Sequence, residues 1–140
     1  MDGIKCLLVV AIVAIVSCNN SAEIRRTDPL ESGRGFIEAS LKGDYVEAQK
    51  YLLQDSTNLE YFEGYKKFIN KRTKEEREGY SDANIIIDST QVLSDSVAII
   101  SYSNTFKMKP SKLKLVKLNG DWLVDFKFTF NGNMPLGESE

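Results

Sequence analysis

The first segment that limits how this chain can fold is an apolar run near its start. Residues 7–18 read LLVVAIVAIVSC, carry no charge, and are preceded by Lys5 and followed by a polar Asn-Asn-Ser triplet. A helix that crosses a membrane needs about 20 apolar residues, and this run is shorter. Its length is typical of the apolar core of a signal peptide, about 7–15 residues. We therefore expect residues 1–17 to be a signal peptide.

The end of this run resembles the lipobox of bacterial lipoproteins. Ile15 and Val16 occupy the aliphatic positions, Ser17 is the small residue before the cleavage site, and Cys18 follows. The resemblance implies cleavage between Ser17 and Cys18, transfer of diacylglyceryl to the Cys18 sulfur, and acylation of the new amino terminus. At about 0.8 kcal/mol per buried methylene, two or three acyl chains would hold the domain on a membrane. The alternatives are an ordinary signal peptide cut near this site and an uncleaved signal anchor.

The residues after the cysteine bear on location and on domain limits. Asn19, and not aspartate, follows Cys18. By analogy with enterobacterial sorting, this favours the outer membrane, with the domain facing the periplasm.

Residues 18–27 are polar and lack apolar periodicity, which predicts a flexible tether. We expect one folded domain over residues 28–131 and a flexible tail over residues 132–140.

Composition argues against several classes of function. Removal of residues 1–17 takes away one acid and one base, so the formal net charge stays at −2, which argues against nucleic acid as a partner. The chain has no histidine, so a Ser-His-Asp or Cys-His nucleophile cannot form and the commonest zinc ligand is missing. Cys6 leaves with the signal peptide and Cys18 carries lipid. We therefore expect no disulfide, no metal site and no cofactor in the mature domain.

Three helices are predicted in the first part of the domain. Aspartates at positions 28, 44 and 55 are typical N-caps, and Pro29 and Glu31 strengthen the first of them. Gly43 is typical of the residue that follows a helix. The second helix is expected to carry apolar residues through Leu53. The third is expected over residues 58–78, with a charged and solvated second half.

From residue 84 the apolar period changes to two, and β-branched residues predominate. We expect strands over residues 84–91, 96–106, 112–118 and 122–130. Asn119-Gly120 predicts a type I′ hairpin between the last two strands. In the last strand the aromatic residues alternate with polar ones, so one aromatic face should meet the helices and Asp125 should lie on the polar face.

Helices followed by a four-stranded antiparallel meander predict an α+β fold, with the N-terminal helices packed on one face of a curved sheet. Segment 36–48, FIEASLKGDYVEA, resembles the helix–Gly-Asp–helix opening of the cone-shaped nuclear-transport-factor-like (cystatin-like) superfamily. Segment 118–126, LNGDWLVDF, is similar to the last hairpin of that superfamily. Within it, the chain resembles small bacterial lipoproteins of unknown function with a lumazine-binding-like domain. The resemblance covers about residues 28–130.

The resemblance also implies where chemistry can lie. Enzymes of this superfamily use an aspartate base, a Tyr/Asp oxyanion pair or a His-Asp pair in the open end of the cone. Here Asp88 and Asp125 are the candidate carboxylates and Tyr65, Tyr80 and Tyr102 the candidate tyrosines. Alternation puts both aspartates on the polar face, which favours a non-catalytic domain. The expected pocket is lined by Tyr65, Tyr102, Trp122 and Phe126.

Two further patterns leave alternatives open. Gly33-Arg34-Gly35 is similar to a phosphate-binding loop but lacks a preceding strand and a third glycine, so close helix packing is the favoured interpretation. Five lysines cluster on the hairpin of the second and third strands and can face anionic lipid or an acidic partner. Protection of a solvated strand edge is the favoured interpretation. The five lysines are Lys107, Lys109, Lys112, Lys114 and Lys117.

Together these patterns favour a non-enzymatic, membrane-anchored envelope lipoprotein whose domain binds a small molecule or another envelope protein. One alternative is a ketosteroid-isomerase-like or hydratase-like enzyme with a carboxylate in the cone. Another is a structural module that makes protein contacts through its sheet face.

Lipidation of Cys18 is testable with radiolabelled palmitate in cells that express the full chain. We expect label in the wild type and in Cys6→Ala, and none in Cys18→Ala, because only a thiolate accepts the diacylglyceryl group. An unlabelled wild type, or label retained in Cys18→Ala, would contradict the lipoprotein interpretation.

Overall fold

The computed structural model describes residues 26–130, in which four helices precede a four-stranded sheet and one short helix follows it. The described residues do not include the predicted signal peptide, Cys18, most of the tether, or the tail over residues 132–140. The elements are α1 Pro29–Leu41, α2 Tyr45–Gln49, α3 Ser56–Asn70, α4 Lys74–Ser81, β1 Ile85–Ser94, β2 Val97–Asn104, β3 Ser111–Leu118, β4 Asp121–Val124 and α5 Phe126–Phe130.

The strands form an antiparallel meander in the order β1-β2-β3-β4. The predicted α+β class is therefore confirmed. None of the helices within residues 26–130 is both long enough and apolar enough to cross a membrane.

The predicted helix caps are confirmed. The carboxylates of Asp28, Asp44 and Asp55 each accept a hydrogen bond from the backbone N–H three residues later. These bonds satisfy amides that have no partner inside the helix. Gly43 follows α1 with a φ of 72°, a left-handed conformation that glycine adopts without a side-chain clash.

The second helix is shorter than predicted, because the chain after it pairs with the sheet. Helix α2 ends at Gln49 and does not reach Leu53. The Val124 N–H donates to the Tyr51 carbonyl at 2.8 Å, and the Leu53 N–H donates to the Val124 carbonyl at 3.0 Å. Leu52 between them is fully buried. This short parallel bridge covers the outer edge of β4, which would otherwise present unpaired backbone groups.

The third predicted helix is two helices, with a break over residues 71–73. Thr73 starts α4 with a capping box. Its hydroxyl accepts from the Glu76 N–H at 3.2 Å, and the Glu76 carboxylate accepts from the Thr73 N–H at 3.3 Å. The Thr-x-x-Glu pattern is the sequence signal for this start, and the charged character of the segment obscured it.

The last predicted strand is wrong beyond Val124. The strand ends there, and residues 126–130 form the short helix α5. Asp125, expected on the polar face, is only 5 % exposed. Its carboxylate lies 3.3 Å from the Lys114 ammonium and 3.1 Å from the Lys127 ammonium. A carboxylate can be buried when it is paired in this way, and the chain turns inward at this residue to make the pairs.

Asn58 connects the start of α3 to this buried carboxylate. Its side-chain N–H₂ donates to Asp55 at 2.7 Å and to Asp125 at 3.3 Å. Its side-chain oxygen accepts from the Lys127 backbone N–H at 2.8 Å. The side chain is fully buried. The hydrogen bonds from Asn58 lower the pKa of the Asp55 carboxyl. One amide thus joins the helix cap, the end of the sheet and the start of α5.

Helix α1 packs closely on the inner face of the sheet. A Cβ atom at Gly33 would collide with the Ile100 side chain and lie 3.4 Å from Leu115. The close-packing interpretation of the glycine pair is therefore confirmed at this position. One residue earlier, the Ser32 hydroxyl donates to the Trp122 carbonyl at 2.5 Å, so α1 and β4 are also joined by a buried hydrogen bond.

Arg26 is bound at the β3–β4 end of the sheet, although the sequence assigns it to the tether. Its guanidinium lies 3.1 Å from the Asp121 carboxylate and donates to the Lys50 carbonyl at 2.8 Å. Its own carbonyl accepts from the Trp122 N–H at 2.7 Å. The adjacent Asn119-Gly120 turn has φ values of 52° and 89°, which confirms the predicted hairpin.

The strand-edge interpretation of the hairpin lysines is wrong for Lys117. Strand β3, which carries Lys112, Lys114 and Lys117, pairs with β2 on one side and β4 on the other. β4 pairs only with residues 115–118 of β3, so Lys117 lies between two strands, whereas Lys112 and Lys114 lie in the half of β3 that pairs with β2 alone. Lys107 and Lys109 lie in the loop before it.

Replacement of Asn58 tests the buried connection. We expect Asn58→Ala to lower the free energy of unfolding by about 2–3 kcal/mol, because it removes a buried hydrogen-bonding group and leaves polar partners unsatisfied. The adjacent, exposed Thr57→Ala should change it by less than about 0.5 kcal/mol. Urea unfolding followed by circular dichroism measures both. Equal stability of the two variants would contradict the role given to Asn58.

Candidate functional site

A cavity of about 390 Å³ lies between the helices and one end of the sheet. Residues of α1, α3 and α5 form one side, and residues of β2, β3 and the loop between them form the other. Its volume falls within the range of about 300–1,000 Å³ that is typical of small-molecule sites.

One part of the cavity lining is apolar, and the rest is polar or cationic. The apolar side chains are Phe36, Ile37, Leu41, Phe68, Ile69 and Phe126. The polar and cationic side chains are Ser40, Tyr65, Arg72, Tyr80, Tyr102, Asn104, Lys107, Lys109, Ser111 and Thr129. Among these described lining residues, none is an aspartate or a glutamate.

Three of the four expected pocket residues line this cavity, and one does not. Tyr65, Tyr102 and Phe126 are in its wall. Trp122 is buried at the other end of the sheet, where its backbone bonds to Arg26 and Ser32. The misplacement follows from the strand prediction, which put Trp122 and Phe126 on one continuous face.

Aromatic contacts fix the position of Phe126. Its ring centroid lies 5.6 Å from that of Phe36, 5.6 Å from that of Phe62 and 5.7 Å from that of Tyr65. Tilted and edge-on contacts at these distances stabilise aromatic clusters. The start of α5 is therefore held in the core, and the rest of α5 closes one side of the cavity.

The tyrosine hydroxyls in the cavity stay protonated at neutral pH. Burial raises the pKa of Tyr65, and the neighbouring hydroxyls of Tyr102, Tyr45 and Tyr80 raise it further. Burial also raises the pKa of Tyr102, from 10.0 to about 12, against a smaller opposing effect of a hydrogen bond with Ser111. Both groups are therefore neutral hydroxyls, which can donate a hydrogen bond.

Two buried hydroxyls in the lining have no hydrogen-bond partner among the described residues. They belong to Ser40, which is 8 % exposed, and Thr129, which is 1 % exposed. A buried hydroxyl without a partner is destabilising by about 1–3 kcal/mol. Folded proteins contain few such groups. Two of them in the lining of one cavity mark a place where a bound molecule could supply the missing partner.

A second recess of about 380 Å³ adjoins the first. The two share Ser40, Leu41, Tyr65, Ile69 and Tyr80 in their linings. The second recess is bordered by charges of both signs, from Lys74, Arg77 and Glu78 of α4. The shared side chains separate a cationic opening from a mixed one.

The candidate carboxylates lie away from the cavity. Asp88 is exposed on β1, and Asp125 is paired with two lysines at the β4–α5 junction. Neither belongs to the lining. Within residues 26–130, no group of three carboxylate or thiol side chains lies close enough to hold a metal ion.

Sequence reasoning missed Ser40, Arg72 and Thr129 as lining residues. Ser40 had a signal, because it follows Phe36 and Ile37 by four and three residues and so shares their buried helix face. Thr129 was hidden by the strand prediction. Arg72 was hidden by the assumption of one continuous solvated helix, since it lies in the break that precedes α4.

Comparisons of the chain with known protein families, with curated proteins and with solved structures found no match.

The unpartnered Thr129 hydroxyl can be tested by a substitution of the same shape. We expect Thr129→Val to raise the free energy of unfolding of the ligand-free protein by about 1 kcal/mol, because it removes a buried polar group that has no partner. Thr90→Val, an exposed position on β1, serves as the control and should change stability by less than about 0.5 kcal/mol. Urea unfolding measures both. A clear loss of stability in Thr129→Val would show that the hydroxyl is paired.

Proposed function

We propose that this chain is a lipid-anchored envelope protein whose α+β domain binds a small, largely apolar molecule in the cavity between α1, α3 and the sheet. The observation that carries the proposal is the cavity with two buried hydroxyls, Ser40 and Thr129, that lack partners among the described residues. A bound molecule with a polar atom would satisfy them.

The chemistry of the wall supports binding. Small-molecule sites are mostly apolar, with a few polar groups that set the orientation of the ligand. Six apolar side chains form the wall here, and the protonated hydroxyls of Tyr65 and Tyr102 supply donors. Functional sites often make a protein less stable than it could be. This gives a reason for the unpartnered hydroxyls.

We further propose that the helices and sheet have the cone-like arrangement of the nuclear-transport-factor-like superfamily. Support comes from the resemblance of segments 36–48 and 118–126, and from two register shifts in β1, since bulges bend a strand. A curved sheet facing helices would enclose the cavity that the proposal requires.

The enzyme alternative lacks its main support. A ketosteroid-isomerase-like or hydratase-like reaction requires a carboxylate beside the bound substrate. Asp88 and Asp125 both lie outside the lining, and the described lining residues contain no other acid. Binding of an envelope protein, or a structural role through the sheet face, has no comparable feature in its favour.

The anchor in the proposal depends on the lipobox at residues 15–18 and on the apolar run before it. Cys18 lies outside the described residues. The segment between Cys18 and Arg26 would keep the binding domain at the membrane surface, on the periplasmic face of an outer membrane.

Binding can be measured with the neutral dye N-phenyl-1-naphthylamine, whose fluorescence rises in an apolar site. We expect the full chain to bind the dye, and Leu41→Trp to lower the affinity at least about tenfold, because Leu41 lines both recesses and an indole there fills space. Val46→Trp is the matched control, since Val46 is 79 % exposed on α2 and should leave binding unchanged.

The control also accounts for dye that binds the apolar residues 7–17, which all variants share. Circular dichroism should show that both variants are folded. Equal dye affinity of Leu41→Trp, Val46→Trp and wild type would contradict the proposed binding site.

A further inference from the structure

Three partly or fully exposed cations from two separate parts of the chain line the cavity where it opens to solvent. Arg72 comes from the break between α3 and α4, and Lys107 and Lys109 come from the loop between β2 and β3. Because the described lining contains no carboxylate, these charges are not neutralised from within the site. An uncharged ligand would not require these three cations.

Among the described residues, one carboxylate pairs with these cations, and it does so at long distances. Glu76 lies 3.6 Å from the Arg72 guanidinium and 3.9 Å from the Lys107 ammonium. Charge-assisted hydrogen bonds to carboxylates are typically about 2.7–2.9 Å long. Lys109 makes no ion pair within residues 26–130. Donors on all three cations therefore remain available to a ligand.

The loop that carries the two lysines is held in a defined shape. The Asn104 side chain accepts hydrogen bonds from the N–H groups of Phe106, at 3.1 Å, and Lys107, at 3.0 Å. The Phe106 ring packs edge-on against Tyr80 at 5.1 Å between centroids. Met108 has a φ of 54°, a conformation that non-glycine residues rarely adopt and that this loop maintains. These contacts fix the position of Lys107, and Lys109 follows two residues later in the same loop.

The facing side of the opening is equally ordered. The Arg72 guanidinium carbon lies 4.3 Å from the centroid of the Phe68 ring, close enough for a cation–π contact. This contact presents the guanidinium beside an apolar surface, where a planar anionic group and an apolar ligand body can be bound together.

From this arrangement we propose that the ligand is a small organic anion, with an apolar body in the cavity and one anionic group held by Arg72, Lys107 and Lys109. The inference rests on the proposed function and specifies its ligand class. The apolar wall receives the body of the ligand, the hydroxyls of Ser40 and Thr129 meet its polar atoms, and the cationic opening selects for negative charge.

A matched pair of dyes separates this inference from the proposed function. 8-Anilino-1-naphthalenesulfonate has the same ring system as N-phenyl-1-naphthylamine and adds one sulfonate. We expect the full chain to bind the anionic dye at least about tenfold more tightly than the neutral dye, because charge-assisted hydrogen bonds are the stronger ones. Raised salt should reduce this difference, because it screens the charges at the opening.

Charge-removing variants locate the effect. We expect Arg72→Gln to weaken the anionic dye about tenfold and to leave the neutral dye within twofold, whereas Arg34→Gln, an exposed position on α1, should change neither. Because Arg72 also contacts Phe68, Lys109→Gln provides a second test, with the exposed Lys112→Gln as its control.

Failure of the two proposals gives different results. If neither dye distinguishes wild type from Leu41→Trp, the proposed function is wrong. If both dyes bind in the cavity but with equal affinity, or if Arg72→Gln and Lys109→Gln leave the preference for the anionic dye intact, the proposed ligand class is overturned and the binding site stands.

Discussion

Burial of the Asp125 carboxylate determines where the sheet ends and the last helix begins. A carboxylate taken out of water is strongly destabilising unless it is paired and hydrogen-bonded. Lys114, Lys127 and Asn58 supply those partners from β3, α5 and α3. Because the three partners converge at one point, the chain must turn inward after Val124. Asp125 thereby connects elements that are far apart in the sequence.

The inward turn also forms the cavity. It places Phe126 among the rings of Phe36, Phe62 and Tyr65, and it brings Thr129 to the wall. Had the strand continued, alternation would have carried these side chains along the sheet and not into the space between the layers. The pairing of Asp125 therefore stabilises the β4–α5 junction and also places the α5 side chains that line the cavity.

Local features of the fold could be predicted from sequence, and features set by distant partners could not. The aspartate caps and the Asn119-Gly120 turn depend on neighbours within four residues, so residue type and spacing were sufficient. The period-two pattern after Trp122 predicted a long strand, because nothing local shows that Asp125 pairs with Asn58, 67 positions earlier. The same error removed Thr129 from the expected pocket and placed Trp122 in it. Tyr65 and Tyr102 could be named as candidates from residue type, but only the fold shows the cations beside them.

The contacts of Arg26 fix the point at which the preceding segment enters the domain. Arg26 is bound next to Asp121, at the β3–β4 turn, whereas Lys107 and Lys109 belong to the β2–β3 loop at the opposite end of β3. Under the proposed anchoring through Cys18, the tether would therefore enter the domain at the β3–β4 turn, away from the cationic loop. The loop would then be open to a ligand that arrives from solution.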